Sequence, residues 1–311
     1  MAHFIRIGCV GALALLIAPI GASGGWQARA AVKTEPNGFA EHQRQCAGKD
    51  GWSDPAPPVR IFANIYDVGT CGIVVLLVTG PKGNILIDAA PAEAAPAIMA
   101  NIQRLGFRPA DVKILLSSHE HIDHAGGFHA LQRLTGAELL ATGAERPALE
   151  SGTAAPDDPQ NGGLERFTGT RVARTLRDAE IVALGPLRLT AHTTPGHAPG
   201  STSWSWRSCQ GRVCRAIVYA DSLSAVSSGN YRFADHPAYV ATFKASMAKI
   251  ARLPCDLLIT PHPQASDLYG RLAGKAKLTD SKACIAYADA NRKKLDQRLV
   301  PEAVAAKTAG R

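Results

Sequence analysis

Three histidines and an aspartate fall within six consecutive positions of the stretch "SSHEHIDHAGG": His119, His121, Asp123 and His124. The cluster begins where a short apolar strand, "DVKILLSS", is predicted to end. Burying so many titratable groups is costly unless a metal binds them. Alternate residues of an extended segment face the same way, so His119, His121 and Asp123 are expected to converge, with His124 pointing elsewhere if the chain turns. The motif therefore predicts a site for two neighbouring metals.

Two further histidines stand at the ends of other strand-like segments, His197 in "TPGHAPGST" and His262 in "TPHPQ". A rigid scaffold builds a site from such strand ends, although the glycine and proline neighbours leave a turn role open for both residues. Histidine and aspartate ligands without cysteine suit zinc, and manganese or iron can occupy similar sets. Four other histidines lie in strand-like, helix-like or polar surroundings and are predicted not to bind metal: His42, His129, His192 and His236.

Strand-like and helix-like segments alternate along the chain, twice over. The first half has strand patterns in "VRIFANIYDV", "GIVVLLVTG", "GNILIDAA" and "AELLATG", and helical patterns in "EAAPAIMANIQRLGF" and "GGFHALQRLTG". The second half has strand patterns in "EIVALGPLRLTAHTTPGH", "STSWSWRS", "CRAIVYADS" and "CDLLITPHP", and the helix "PAYVATFKASMAKIARL". This order predicts an α/β fold with two sheets packed face to face and helices outside.

A single domain is predicted over residues 31–311, because no linker interrupts the pattern. Residues 31–58 are polar and rich in proline, which predicts an N-terminal arm. Residues 151–169 are rich in glycine, proline and aspartate, so a surface loop is expected there.

The first 30 residues are predicted to be a secretory signal peptide. One early cation, Arg6, precedes an apolar run from Ile7 to Ile20, and small residues follow. Cleavage after Gly24 or Ala30 fits this pattern, and a retained amphipathic membrane anchor is the alternative. No later run approaches the roughly 18 apolar residues of a membrane span. The mature protein is therefore expected to lie in the periplasm without crossing a membrane.

Six of the seven cysteines remain once Cys9 leaves with the signal peptide. An even number in an exported protein indicates disulfides, and proximity in the sequence favours three pairs among many possible ones. The pairs are Cys46–Cys71, Cys209–Cys214 and Cys255–Cys284. None of these cysteines has the CxxC spacing of a metal site, so the oxidising envelope of a bacterium fits best.

The formal net charge is +8, which falls to +7 without Arg6 and to +6 without Arg29 as well. Basic residues are scattered, with the densest run, "NRKKLDQR", near the C-terminus, and few aromatic residues lie among them. This pattern does not predict a nucleic-acid surface. We expect a small-molecule substrate, with a mild bias toward anionic ones, and a monomer.

The stretch "HEHIDHAGG" resembles the HxHxDH signature of the metallo-β-lactamase superfamily. "GNILIDAA" is similar to the superfamily's early strand that ends in an aspartate, here Asp88. "TPGHAPGSTSW", "YADSLSAVS" and "TPHPQASDLYGRL" resemble the subclass B3 metallo-β-lactamases, and the resemblance covers most of residues 59–290. It implies an αββα sandwich of two mixed β-sheets flanked by helices.

The resemblance also implies two Zn²⁺ ions per chain. Carried over residue by residue, the ligand sets are His119, His121 and His197 for one ion, and Asp123, His124 and His262 for the other. Ser222 and Ser224 would line the site, the first near a zinc-bound water and the second near a substrate carboxylate; a strand-end turn is the alternative for both. Cys255–Cys284 would match a disulfide that the subclass often has near its C-terminal end.

The implied activity is the opening of the β-lactam ring of penicillins, cephalosporins and carbapenems. A zinc-bound hydroxide, oriented by Asp123, would attack the ring carbonyl without an acyl-enzyme intermediate. The loop at residues 151–169 would cover part of the pocket.

Two other functions stay open on the sequence. A lactonase, or a thioesterase like glyoxalase II, would use the same fold with a bridging aspartate, which Asp221 in "YADSLS" could supply. In the B3 enzymes this aspartate is not a ligand. A non-catalytic envelope protein that binds zinc is the third hypothesis, although purely structural zinc sites are usually closed and the ligand sets here leave an open position.

Overall fold

The computed structural model describes residues 38–309, and the side chains as far as residue 304. The predicted signal peptide, residues 1–30, lies outside the described residues. The helices are α1 Phe39–Gln45, α2 Ala95–Arg104, α3 Ile122–Ala125, α4 Phe128–Thr135, α5 Arg146–Ser151, α6 Pro237–Ala251, α7 Leu268–Leu272 and α8 Ala283–Ala309. Short 3-10 helices cover Ala92–Ala94, Pro109–Asp111, Phe233–Asp235 and Pro263–Ser266. The strands are β1 Val59–Phe62, β2 Ile65–Asp67, β3 Leu76–Val78, β4 Asn84–Ile87, β5 Val112–Leu116, β6 Glu138–Thr142, β7 Val172–Leu176, β8 Ile181–Leu184, β9 Leu187–Thr193, β10 Thr202–Gln210, β11 Val213–Tyr219 and β12 Leu257–Ile259.

The strands form two mixed sheets. The seven-stranded sheet has the order β1-β2-β3-β4-β5-β6-β7, and the pairs from β4 to β7 are parallel. The five-stranded sheet has the order β12-β11-β10-β9-β8 and is antiparallel except for the pair of β11 with β12. The predicted α/β fold, two mixed sheets flanked by helices, is confirmed.

Alternate residues of single strands lie in different layers of the core. In β3, Leu76 packs between the two sheets, whereas Leu77 packs with side chains of α2 and α4. In β11, Tyr219 packs between the sheets, whereas Val218 packs with side chains of α6 and α8. Because successive side chains of a strand point to opposite faces, fully apolar strands are buried on both faces. The layers are therefore helices, sheet, sheet and helices.

Two segments differ from their predicted form. "VRIFANIYDV" is not one strand but an antiparallel hairpin of β1 and β2, which turns at Ala63, where φ is 48°. Its alternation continues through the turn because Ile61 and Ile65 both pack between the sheets. The arm predicted over 31–58 contains helix α1, whose Phe39 is buried. Helix α8 had no counterpart among the predicted elements.

Three disulfides join the cysteines of the described residues: Cys46–Cys71, Cys209–Cys214 and Cys255–Cys284. These are the pairs that proximity in the sequence favours. The second pair closes the β10–β11 hairpin, where the two cysteines are cross-strand partners. Across the chain from residue 38 onward that the structure describes, no helix has the length and apolar character to cross a membrane.

Candidate metal centre

Segments that follow five strands bring polar side chains together. Asp88 directly follows β4, His119 follows β5, His197 follows β9, Asp221 lies two residues beyond β11, and His262 lies three residues beyond β12. The carboxyl ends of parallel strands meet at one edge of a sheet, so these segments converge at one edge of the two packed sheets. Rigid strands thus hold a site built on their connecting loops.

Three histidines form the first group of potential ligands. One ring nitrogen from each of His119, His121 and His197 lies within 4.8 Å of the others, and all three side chains are buried. The ring centroids of His119 and His197 are 4.8 Å apart, and those of His121 and His197 are 5.1 Å apart. His119 Nε2 is a buried nitrogen without a hydrogen-bond partner, which fits an atom that binds a metal. We refer to these three residues as the histidine trio.

Asp123 and His124, whose ligand atoms lie within 4.8 Å of one of His119, form the second group together with His262. His124 Nε2 lies 3.1 Å from Asp123 Oδ2 and 3.3 Å from His262 Nε2, and His262 Nε2 lies 3.3 Å from Asp123 Oδ2. Ligand atoms about 2.0–2.1 Å from a tetrahedral zinc are themselves about 3.3–3.4 Å apart. Three donor atoms at this mutual spacing therefore fit one zinc ion.

The conformation of the motif explains how one short stretch serves both groups. The chain is extended as far as His121 and then enters helix α3, which carries Asp123 and His124. The expectation that His124 would point away from the trio if the chain turns agrees with this geometry. The expectation that Asp123 converges with His119 and His121 holds only in part, because Asp123 Oδ2 pairs with His124 and His262. The helix, not strand alternation, sets its direction.

Each histidine of the trio gives one ring nitrogen to an acceptor in the protein. His119 Nδ1 lies 2.8 Å from Asp221 Oδ1, His121 Nε2 lies 2.9 Å from Asp158 Oδ2, and His197 Nδ1 lies 2.9 Å from the carbonyl oxygen of Ser224. Such partners fix the ring orientation and the tautomer of a metal-binding histidine. The remaining nitrogens of His119 and His121 are left for a metal, and that of His197 lies 3.4 Å from Gln160 Nε2.

Asp88 places a buried carboxylate beside His124, whose Nδ1 makes no hydrogen bond with the described residues. Its Oδ2 lies 3.3 Å from His124 Nδ1, accepts a hydrogen bond from Tyr219 Oη at 2.6 Å and accepts another from Ser118 Oγ at 2.8 Å. Asp88 has φ 68°, in the left-handed region that aspartate adopts more readily than most residues. The position directly after β4 is therefore specialised for holding this buried carboxylate under the site.

Burial and charge give the two groups different protonation states. Burial, reinforced by His124 and His121, holds the pKa of His119 well below its usual range, and burial lowers the pKa of His197 to about 3. Burial opposes charge on His124 too, but Asp123 and Asp88 outweigh it and raise the pKa of His124 to about 10. His119 and His197 are thus neutral at pH 7, the state in which imidazole binds metal.

Beneath the ligands lies a buried pair of carboxyl groups, Glu120 and Glu145. Glu120 Oε1 accepts a hydrogen bond from Gly200 N at 2.9 Å, and Glu145 Oε2 accepts one from Thr142 N at 3.1 Å. Burial raises the pKa of Glu120 well above its usual range and that of Glu145 to about 7. A β-carbon on Gly200 would lie 2.3 Å from Glu145 Cγ, so only glycine fits between the two side chains.

The serines proposed to line the site differ in exposure. Ser222 is buried, whereas Ser224 is exposed, with Oγ 3.2 Å from His197 Nδ1. Asp221 is fully buried, and its Oδ1 faces the Nδ1 side of His119, opposite the nitrogen left for a metal. The four histidines predicted not to bind metal, His42, His129, His192 and His236, lie outside both groups.

Sequence reasoning missed two residues of the predicted loop 151–169. Asp158 is buried and orients His121, and Gln160 Nε2 lies 3.4 Å from His197 Nε2. The loop has no helix or strand between residues 152 and 171, as expected, but it is not wholly a surface feature. The pair "DD" at 157–158 was the available signal, and the sequence does not tell which of the two aspartates turns inward.

Trp52, in the N-terminal arm, was missed as well; its ring centroid lies 6.4 Å from that of His262.

Comparison with known proteins agrees with this geometry. The family model of the metallo-beta-lactamase superfamily matches residues 68–262. The metallo-β-lactamase MIM-1 from Novosphingobium pentaromativorans has a TM-score of 0.84 and 49% identity, over 86% of this chain and 99% of its own. MEM-A1, a subclass B3 metallo-β-lactamase isolated from a soil metagenome library, has a TM-score of 0.78 and 43% identity, over 82% of this chain and 99% of its own.

Curated relatives match a shorter part of the chain. A hydroxyacylglutathione hydrolase of Anaeromyxobacter dehalogenans (strain 2CP-C) is 32% identical over 176 residues, which are 57% of this chain and 55% of that protein. The chain spans about half the length of the curated relatives it matches. The matched family model covers more than half of the chain and includes every member of both ligand groups, so the chain belongs to the metallo-β-lactamase superfamily.

Proposed function

We propose that this protein is an exported di-zinc hydrolase of subclass B3 that opens the β-lactam ring of antibiotics. The observation that carries the proposal is the pair of adjacent ligand groups, the histidine trio beside Asp123, His124 and His262, with no cysteine in either. Solved structures that are 43–49% identical over nearly their whole length are metallo-β-lactamases. Identity of that extent supports a shared reaction class.

The reaction adds water across the ring amide. A carbon–oxygen bond forms at the ring carbonyl, the carbon–nitrogen bond breaks, and the nitrogen takes a proton, so that a carboxylate and an amine result. Zinc held by the histidine trio and by Asp123, His124 and His262 would supply a water of lowered pKa and polarise the carbonyl. Burial opposes charge on Asp123, but His124 and His262 hold the pKa of its carboxyl well below the usual range, so Asp123 is ionised. Its Oδ2 faces the two histidines, which leaves Oδ1 to accept a hydrogen bond from the attacking water.

Residues around the two groups suit a bicyclic substrate with an anionic carboxylate. Trp52 is 49% exposed beside His262 and offers a flat apolar surface for a substrate substituent. Gln160 and Ser224 lie next to His197 and offer hydrogen-bond donors to a carboxylate. We therefore assign orientation of the substrate to these three side chains, and we assign Ser222 to the lining beneath them.

Export to the periplasm is part of the proposal. Residues 1–30 have the pattern of a signal peptide, and three disulfides join the cysteines of the described residues. Disulfides persist in oxidising compartments and are rare in the cytosol. Both features support secretion.

A thioesterase of the glyoxalase II type is the second candidate, because three curated relatives are hydroxyacylglutathione hydrolases. That reading needs a bridging carboxylate, for which Asp221 is the candidate. Asp221 instead pairs with His119 Nδ1 at 2.8 Å, on the side of the ring away from the trio's free nitrogen. This position disfavours a bridging role and supports the β-lactamase proposal.

The test is hydrolysis by the purified mature protein with zinc. We expect turnover of a carbapenem and of a cephalosporin, which EDTA abolishes and added zinc restores. The thioester S-lactoylglutathione is assayed in parallel as the rival substrate. Thioester turnover without β-lactam turnover, at two bound zinc ions, would refute the proposal.

A variant pair assigns the activity to the second group. Asp123→Asn removes the carboxylate while keeping the side-chain shape, and we expect a loss of about 100-fold or more in kcat. Asp157→Asn is the matched control, because Asp157 is exposed and lies outside both groups. Equal activity of the two variants would remove Asp123 from the reaction.

A further inference from the structure

One segment of chain, residues 221–228, connects the site to the last helix. Its first residue, Asp221, orients His119, and the carbonyl oxygen of Ser224 orients His197. The segment has neither helix nor regular strand structure, so its own backbone hydrogen bonds do not fix its shape. Its conformation must therefore come from contacts with neighbouring elements.

Helix α8 supplies two of these contacts. The Tyr287 hydroxyl accepts a hydrogen bond from Leu223 N at 3.1 Å and donates one to the carbonyl oxygen of Asp221 at 3.1 Å. Further along α8, the Arg298 guanidinium donates to the carbonyl oxygen of Ala225 and to Ser227 Oγ. Residues 11 apart lie about three helical turns apart on the same face of a helix. One face of α8 therefore holds the segment at both ends.

Arg298 is itself fixed from several sides. Its Nε donates to Glu302 Oε1 at 2.6 Å, and Glu302 Oε2 accepts a hydrogen bond from Ala234 N at 2.9 Å. Its Cζ lies 4.7 Å from the centre of the buried Phe233 ring. A planar guanidinium with several donors suits this task, whereas a lysine ammonium has no fork to reach two acceptors in fixed directions.

The same segment also holds the loop that orients the third histidine of the trio. Ser228 Oγ lies 2.8 and 3.0 Å from the carbonyl oxygens of Gln160 and Asn161, which share its one proton, and Ser228 N donates to the carbonyl oxygen of Pro159 at 3.0 Å. Asp158, the residue before Pro159, pairs with His121. All three orienting partners of the trio thus belong to residues 221–228 or to a loop bonded to them.

We propose that Arg298 is a positioning residue of the metal centre, which acts through the backbone of residues 225–228 on the orientation of the histidine trio. It touches neither substrate nor metal. The inference rests on the proposed metal binding at the trio, but not on the identity of the substrate. Its consequence is that a residue on the last helix changes metal affinity while every ligand stays in place.

The experiment compares Arg298→Gln with Arg292→Gln in the full mature protein. Arg292 lies on the same helix with a side chain 58% exposed, and its partner is Asp289 at 3.8 Å, so it is the matched control. Zinc affinity is measured by competition with a chromophoric chelator, and the coordination geometry by the visible absorption of the Co²⁺-substituted protein. We expect about 10-fold weaker zinc binding and an altered cobalt spectrum in Arg298→Gln only, since the loss of an orienting partner typically weakens metal affinity about 10- to 100-fold.

A second variant covers the case in which Arg298→Gln does not fold. Ser227→Ala removes one acceptor of the guanidinium and the hydrogen bond from Ser227 Oγ to the carbonyl oxygen of Tyr231, and it keeps the pair of Arg298 with Glu302. We expect a change in the same direction of about threefold, smaller because one of several contacts is lost. Thermal unfolding of the metal-free proteins shows whether the fold survives.

The outcomes separate this inference from the proposed function. Wild-type zinc affinity and an unchanged cobalt spectrum in both Arg298→Gln and Ser227→Ala would overturn the positioning role. Zinc binding by the wild type without β-lactam turnover would refute the proposed function alone, because the zinc affinities of the variants would still be compared. A wild type that binds neither zinc nor cobalt would overturn both.

Discussion

At the scale of single residues, each histidine of the trio has one ring nitrogen that contacts an acceptor in the protein and one that faces the proposed metal. His119 and His197 use Nδ1 for an acceptor in the protein, whereas His121 uses Nε2. The choice of nitrogen decides which way each ring must lie to present the other nitrogen to a shared ion. The acceptors therefore contribute as much to the geometry of the site as the ligands do.

Asp158→Asn tests how much the acceptor on His121 contributes to metal binding. The amide keeps an oxygen that can accept from His121 Nε2 but loses the negative charge that makes the imidazole a stronger ligand. We expect zinc affinity to fall about 10- to 100-fold, with kcat reduced under limiting zinc. Zinc titration with a competing chelator gives the affinity. Asp157→Asn, at the exposed neighbouring position, should leave it unchanged, and equal affinity of both variants would show that the carboxylate of Asp158 does not matter.

Glu145→Gln tests the buried carboxyl pair through pH. Burial raises the pKa of Glu145 from an ordinary 4.5 to about 7, so the folded state binds more protons than the unfolded state between these values. The contribution of Glu145 to the stability of the wild type then falls as pH rises from 4.5 through 7, by up to about 3 kcal/mol, and the glutamine variant lacks this loss. Urea unfolding of the metal-free proteins at pH 5 and pH 8 measures the difference. Glu138→Gln, on the exposed end of β6, is the control; a constant difference between Glu145→Gln and the wild type would contradict the prediction.

At the scale of elements, the spacing of the sequence predicted the strands that carry the ligands. The apolar ends of β4, β5 and β11 are buried, and Asp88, His119 and Asp221 follow them within three residues. The turn inside "VRIFANIYDV" was hidden because Ile61 and Ile65 keep the alternation on both sides of it. A two-residue turn without glycine or proline leaves little trace in a hydrophobic pattern.

Helix α8 shows why a basic run can hide an element. Its buried residues, Cys284, Tyr287, Ala288, Asn291 and Leu295, recur three or four positions apart along one face, which is a helical pattern. Alanine and asparagine at core positions weaken the hydrophobic pattern of this helix. The many charged residues between them make the segment look like a solvent-exposed basic run. The inward position of Asp158 had no periodic signal at all, because loops position side chains through long-range contacts.

The disulfides of this fold should differ in their effect on stability. Cys255–Cys284 joins residues 29 apart and connects the strand β12 region to α8, whereas Cys209–Cys214 joins residues 5 apart in a hairpin. Loop-closure entropy predicts losses of about 3–4 and about 2 kcal/mol, respectively, when each pair is replaced by alanines. Urea unfolding of the two double variants gives both values. A larger loss from the hairpin pair would contradict the entropic account.

At the scale of the whole molecule, the site lies across both sheets. His119, His121, Asp123 and His124 follow β5 of the seven-stranded sheet, whereas His197 and His262 follow β9 and β12 of the five-stranded sheet. Each ligand group takes members from both sheets. A metal in either group therefore joins the two halves of the sandwich, and it binds the folded chain in preference to the unfolded one.

Zinc should consequently stabilise the whole fold. At free zinc about 1,000 times the dissociation constant, binding adds about 4 kcal/mol, which raises the melting temperature by roughly 10 °C for a chain of this size. Thermal unfolding with EDTA and with a zinc series measures the shift.

His262→Ala removes the only ligand that the five-stranded sheet contributes to the second group as described. This variant should keep the rise in melting temperature from zinc at the trio and lose the further rise at higher zinc. A melting temperature that does not depend on zinc would mean that the two sheets are not joined through a metal, because ions that bridge them must favour the state in which they meet.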